Sequence, residues 1–205
     1  MASVDLVGLT VLALLSEKER HPYEMQTLIR QRRKDYAAGS PRSLYRAVER
    51  LERAGMIEKA ETARAGNRPE RTAYRITPEG FESLQDRLGE LVSVPLPEHP
   101  AFTAAVGLLA RLPAEVAGAA LRTRTVLLEG QIAEMEAQRT GLERHLHRLL
   151  LLELEYLLEL RRAELAWVRR LADDIATGAL AWDADAVRVD PDLLIRSRKE
   201  GPAMS

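Results

Sequence analysis

The sequence predicts a mainly α-helical protein: an N-terminal winged helix-turn-helix with a two-stranded wing, followed by an antiparallel helical domain. Three observations predict it. Apolar residues recur at helical spacing through most of the 205 residues. A basic helix over 40–57 is followed by a turn-rich segment, residues 65–69, lying between two strand-like stretches. Beyond a proline-rich break, Leu121, Leu128, Met135, Leu142 and Leu149 repeat every seven residues.

Taken in order, Leu6, Leu9, Val11, Leu12 and Leu15 give helix one, from about Val4 to Ser16, a broad apolar face. Pro22 suits the first turn of helix two, whose inner side carries Met25, Leu28 and Ile29 and which ends near Arg33. Ser40 and Pro41 are the cap and first residue of helix three. On that helix Leu44, Val48 and Leu51 share one face. Arg42, Arg46 and Arg53 take the opposite face, with Tyr45 and Arg50 on its flanks. Residues 58–62 and 72–77 are the wing arms, and Thr77-Pro78 caps a fourth helix reaching about Val92. Three prolines within 94–100 make a stiff connector. A short helix around 102–110, a long one from Pro113 and another ending at Thr177-Gly178 follow. Arg139 and Gly141 interrupt the heptads, which favours two long antiparallel helices over one rod. The expected division is a winged helix over 1–93, a connector over 94–100, a helical dimerisation domain over 101–182 and a partly disordered tail over 183–205.

The formal net charge of -1 averages two unlike halves. Residues 20–75 hold 14 basic and 7 acidic side chains, a net of +7. Such clustering suits a polyanion, because attraction to phosphate decays over about 8 Å at physiological salt. Absence of cysteine excludes disulfides, zinc ribbons and thiol catalysis, and points to a cytoplasmic protein. No run approaches the roughly 18 apolar residues of a membrane span, and no phosphate loop, nucleophile elbow or zinc-protease motif occurs. We therefore expect no enzyme, no cofactor and no metal. His145 and His147 are two apart on a helix and so face different sides.

The arginine face of helix three is the candidate DNA surface. Arg42 and Arg46 suit bidentate contact to guanine, while Ser40, Ser43 and Tyr45 suit phosphates near the positive end of the helix dipole. A solvated charged face is the plainer reading of any one arginine. A second basic cluster at Arg64, Arg68 and Arg71, at a fixed distance along the chain, favours DNA. Gly66-Asn67-Arg68-Pro69 would be the wing tip. Arg50, Asn67 and Arg71 complete the candidate contacts. Leu121, Leu128, Ile132, Met135, Leu142, Leu149 and Trp167 are the candidates for dimerisation, since DNA readers of this kind are two-fold. Trp167 and Trp182 also suit either an effector pocket or plain packing.

The ordered set of 9–16, His21-Pro22-Tyr23-Glu24-Met25, 40–57, 66–69 and 74–80 resembles the PadR family of bacterial transcriptional regulators. Residues 98–102, 121–124, 153–156 and 163–168 resemble the C-terminal helical domain of its larger subfamily, so the likeness covers about Leu6 to Trp182. The resemblance implies a homodimer whose C-terminal helices embrace. It also implies repression at a double-stranded, roughly palindromic operator, with release by an unidentified small-molecule effector. Through it Tyr23, Ser40, Ser43, Tyr45 and Arg68 match positions near DNA. Pro22 and Arg42-Ser43 stand where the family often has glycine and Gly-Thr. Arg42 thus adds a side chain where the family often has none. The rival expectation is a winged-helix module that binds protein and not DNA.

Overall fold

The computed structural model describes residues 5–32, 34, 41–60, 72–96 and 100–189. The chain divides into two compact units, residues 1–97 and 98–205. The first holds α1 (Leu6–Glu17), α2 (Pro22–Gln31), α3 (Pro41–Arg53), β1 (Ile57–Lys59), β2 (Tyr74–Ile76) and α4 (Pro78–Ser93). The second holds α5 (Ala101–Gly107), α6 (Ala114–Glu143), α7 (Leu152–Thr177) and α8 (Ala184–Val189). Tight 3₁₀ turns lie at Leu109–Arg111 and Arg148–Leu150.

Side chains close the helix starts of the first unit. Asp5 accepts the Gly8 N–H at 2.9 Å, and Thr77 accepts the Gly80 N–H at 3.1 Å. At α2 the capping is reciprocal: His21 Nδ1 accepts the Tyr23 N–H at 3.1 Å, and the Glu24 carboxylate accepts the His21 N–H at 3.3 Å. Val11, Leu12 and Leu15 of α1 bury against Met25 and Ile29 of α2, Leu44, Val48 and Leu51 of α3, and Leu84 of α4. The i, i+4, i+7 spacing of the α3 residues is why its opposite face stays in water.

Gly55, at φ 72°, turns the chain out of α3 into β1, a conformation a Cβ disfavours. The strands pair antiparallel with Ile57 opposite Ile76, Glu58 opposite Arg75 and Lys59 opposite Tyr74. An Ala60 N–H to Ala73 carbonyl bond of 2.9 Å extends the ladder. Residues 61 and 62 of the expected first arm lie outside the described residues. A third chain segment completes the wing root: Arg20 and Tyr74 exchange both backbone hydrogen bonds, at 3.1 and 2.9 Å. Arg20 is buried, donates from Nε to the Leu14 carbonyl at 3.0 Å and pairs with Glu17. Glu17 also takes two bonds from Arg32, at 2.6 and 2.9 Å. The burial of Arg20 was invisible in a run of charged residues.

The hydrogen bond from Arg32 holds the Glu17 carboxyl below its ordinary range, with Arg20 adding to the effect. A lowered carboxylate pKa stabilises the fold above the unfolded-state value, and that contribution disappears as pH falls through the folded-state value. Glu17→Gln should therefore melt lower than the parent at neutral pH. The gap should close in acid below the carboxylate range, as read by thermal unfolding across pH.

In the second unit α6 and α7 run antiparallel. Leu121, Leu128 and Ile132 pack on Leu165, Val168 and Ala172. Ion pairs Arg124–Glu164, Arg169–Glu129 and Arg162–Glu136 flank the seam. Phe102 of α5 seats its ring 3.6 Å beneath the Arg124 guanidinium and edge-on to Trp167, centroids 6.1 Å apart. The Trp182 indole N–H donates to the Leu112 carbonyl at 2.8 Å, tying the approach to α8 against the start of α6. Residues 184–189, which the sequence reading placed in the tail, form α8, with Asp183 accepting N–H bonds from Asp185 and Ala186 at 2.9 and 3.1 Å.

The break expected near Arg139 and Gly141 falls slightly later in the chain. The heptad run does not continue as helix through Leu146 to Leu149. α6 persists past Gly141, where Arg139 pairs with Glu143 one turn on, and stops at Glu143. Leu149 lies in the 3₁₀ turn that His147 caps, and is exposed. His147 Nδ1 accepts the Leu149 N–H at 3.2 Å, a structural task for a residue considered as a metal ligand.

Candidate nucleic-acid interface

α3 is positioned by its apolar face. Leu44, Ala47, Val48 and Leu51 are buried, which leaves Arg42, Tyr45, Arg46, Glu49, Arg50 and Arg53 at the surface. Arg42 and Arg46 are one helical turn apart, exposed, and form no ion pair among the described residues. Tyr45 is exposed beside them and Ser43 is half-buried. Tyr23 projects from the first turn of α2 and is 54% exposed. The candidate interface therefore has two guanidinium groups near a helix N-terminus that are unpaired among the described residues, with two phenol hydroxyls able to donate to phosphate. Of the remaining candidates, Ser40, Asn67, Arg68 and Arg71 lie outside the described residues, as does Arg64.

Arg50 differs from its neighbours. Its guanidinium pairs with the Asp5 carboxylate at the start of α1. Two residues on, Glu52 ties α3 to both wing arms: Lys59 Nζ stands 3.2 Å from its carboxylate and the Tyr74 hydroxyl donates at 3.4 Å. Burial first, then the Glu52 charge, raises the Tyr74 phenol above its ordinary value, so it stays a neutral donor. The sequence reading missed Asp5, Arg20 and Glu52. The signal for Asp5 was there: an acidic residue immediately before an apolar helical run is an N-cap.

This arrangement matches known proteins over part of its length and in its fold. Residues 11–86 match the Transcriptional regulator PadR-like family. That segment, a little over a third of the chain, is similar to the family. The match runs from within α1 into α4, so it takes in α3 and both wing strands of the PadR-like unit. Among solved structures, Bacillus subtilis PadR in complex with operator DNA is similar at 16% identity and a TM-score of 0.69, covering 83% of this chain and 99% of that one. The same protein in complex with p-coumaric acid aligns at 15% identity and a TM-score of 0.70, with the same coverage. The Vibrio cholerae virulence activator AphA aligns at 18% identity and 0.60, covering 83% of this chain and 98% of that one. At these identities the likeness is one of fold, and it extends beyond the PadR-like segment into the helical second unit. No curated protein sequence matches the chain. No helix among the described residues is long and apolar enough to cross a membrane, and none of their acidic or histidine side chains cluster as a metal site would require.

The other candidates are divided between inside and outside. Leu121 and Leu128 are buried by α7 of the same chain, with Ile132 partly buried beside them. Met135 and Leu142 are half-buried on the same α6 face. What α7 leaves at the surface is a different set: Leu152, Tyr156, Leu160 and Trp167. Beside Trp182 lies a cavity of about 640 Å³ lined by Arg111, Pro113, Glu115 and Asp183.

Proposed function

We propose that this PadR-like regulator is a cytoplasmic homodimeric repressor that binds a two-fold double-stranded operator and releases it when a small molecule binds. The observation that carries the reading is the exposed pair Arg42 and Arg46, on a helix whose other face is core, with the wing root fastened to that helix by Glu52. Guanidinium groups so placed fit the guanine O6 and N7 acceptors of a major groove, with Tyr23, Tyr45 and Ser43 at flanking phosphates. Arg68, Asn67 and Arg71 of the wing, together with Ser40, complete the proposed contacts. The operator and p-coumaric acid complexes of Bacillus subtilis PadR support both the DNA and the small-molecule parts of the reading.

The dimer reading rests on surface that one chain leaves uncovered. Leu152, Tyr156, Leu160 and Trp167 fall at spacings of four, four and seven along α7, a continuous exposed stripe. Val116, Val126 and Leu127 are exposed on α6. Large contiguous apolar surface of this kind marks a partner site. The inner-seam residues Leu121, Leu128, Ile132, Met135 and Leu142 would then support the dimer by stiffening the hairpin, with Trp167 at the interface itself. The pair Tyr156→Glu and Leu160→Glu should turn a dimer into a species of 22.9 kDa by light scattering, with the helical circular-dichroism signal retained.

The direct test is binding of the purified protein to DNA upstream of its own gene across a salt series. The expected result is tight binding, with log K falling by about 0.9 per neutralised phosphate against log salt. Footprints should come as two half-sites one or two turns of roughly 10–10.5 base pairs apart. Absence of any shift at low salt would favour a protein-binding winged helix instead. Likeness to the activator AphA makes activation the second reading, and a promoter fusion in the presence and absence of the protein decides the sign.

A further inference from the structure

We infer that Arg50 is a positioning residue, which sets the angle of the recognition helix against α1 through Asp5, and is not itself a DNA contact. The inference rests on the DNA-binding reading above. Charge and position alone would place Arg50 with Arg42 and Arg46, but its guanidinium is already paired with the Asp5 carboxylate, 45 residues away in the chain. The same carboxylate does a second job. One oxygen accepts the Gly8 N–H at 2.9 Å, closing the first turn of α1, while the other receives Arg50. A single side chain thereby joins the start of α1 to the surface of α3.

Gly8 is the third member of this device. A Cβ built there would lie 2.4 Å from Asp5 Oδ2 and 2.9 Å from its Cγ, closer than real atoms stand. With a side chain at position 8 the Asp5 carboxylate would have to shift from the place where it meets both partners. A helix-interior glycine is ordinarily a weak choice, since alanine stabilises a helix by comparison. Glycine at this point is accounted for by the carboxylate that crosses it.

The consequence for binding is geometric. Arg42 and Arg46 reach base edges only if α3 is held at a fixed tilt, and bidentate contacts are lost with small misplacement. The test is a set of salt-dependent affinity measurements on the full chain with its operator, for Arg50→Ala, Asp5→Ala, Gly8→Ala, the Asp5→Ala/Arg50→Ala double variant and Arg50→Lys. Each alanine variant should bind about two- to fivefold more weakly, the range an exposed pair supports. The double variant should be no weaker than the singles, and the salt slope should match that of the parent. Arg50→Lys should restore most of the affinity. Thermal melts establish that each variant is folded at the assay temperature, so that the loss reads tilt and not unfolding. The opposite pattern overturns the inference. In that pattern Arg50→Ala lowers the slope by about 0.9, as a lost phosphate contact does. Asp5→Ala would then bind as tightly as the parent or tighter, because it frees Arg50 for DNA. If the parent itself binds no DNA, the DNA-binding reading fails and this inference goes with it. Parent binding together with the contact pattern sinks this inference alone.

Discussion

Arg42→Ala should weaken binding to the cognate operator by about 1–3 kcal/mol, roughly five- to 150-fold, and relax base preference at one position of each half-site. Arg42 lies in the first turn of α3, at the surface, with no ion pair among the described residues to hold it back. A guanidinium is planar and permanently charged, so when it meets guanine it forms two parallel bonds that no other base edge reproduces. Losing it should therefore hurt the correct sequence most. Binding measured against the operator and against single-base variants separates this from the alternative, a phosphate contact. An equal loss on every sequence, with a salt slope smaller by about 0.9, would reassign Arg42 to the backbone. The second arginine of the face, Arg46, provides the internal control, because it sits one turn along and should read a neighbouring position.

The largest effect on stability is expected at Gly80. It occupies the first turn of α4, beside the link from α3 to β1, and a Cβ there would stand 2.0 Å from the Met56 carbonyl oxygen. The obstructing atom is backbone, and that carbonyl already accepts the Thr77 N–H at 3.1 Å, so it has nowhere to go. Gly80→Ala should destabilise by about 3 kcal/mol, at the upper end of overpacking costs. It should also weaken DNA binding, because Met56 leads directly into β1 of the wing. Gly89 in the same helix has nothing within 4 Å of a Cβ. Gly89→Ala should instead stabilise by up to about 1 kcal/mol, through helix propensity alone. The same substitution, nine positions apart in one helix, is thus expected to have opposite signs in a thermal or urea melt. Two changes of the same sign would mean that the close approach at Gly80 does not govern the site.

The pattern of elements was legible because each announces itself locally. Pro22 and Pro41 open helices, Gly55 closes one, Thr77-Pro78 begins another, and the two faces of α3 separate cleanly. The candidate site was legible to the same degree: Arg42, Arg46, Tyr45 and Tyr23 are all on the surface. Arg50 shows where local reading ends. Its face and charge are those of a DNA contact, and only the return of α1 beside α3 brings Asp5 to it. The heptads of α6 are a similar case. A seven-residue apolar repeat says that a helix packs against another helix, with no information about which chain supplies it. Leu121 and Leu128 found their partner in α7, so the apolar stripe of that helix left uncovered is the one that begins at Leu152 and Tyr156.

Sequence by itself determined the helical and strand order, the basic character of α3, and the two exposed arginines on its outer face. These follow from periodicity, capping and turn chemistry, which act within a few residues of one another. Tertiary structure alone decided which charged groups were taken: Arg20 into the wing root, Arg50 onto Asp5, Glu52 between the wing arms. It also decided which apolar stripe of the helical hairpin was spent internally. Pairing of that kind depends on segments tens of residues apart, and no local pattern records which of them meet.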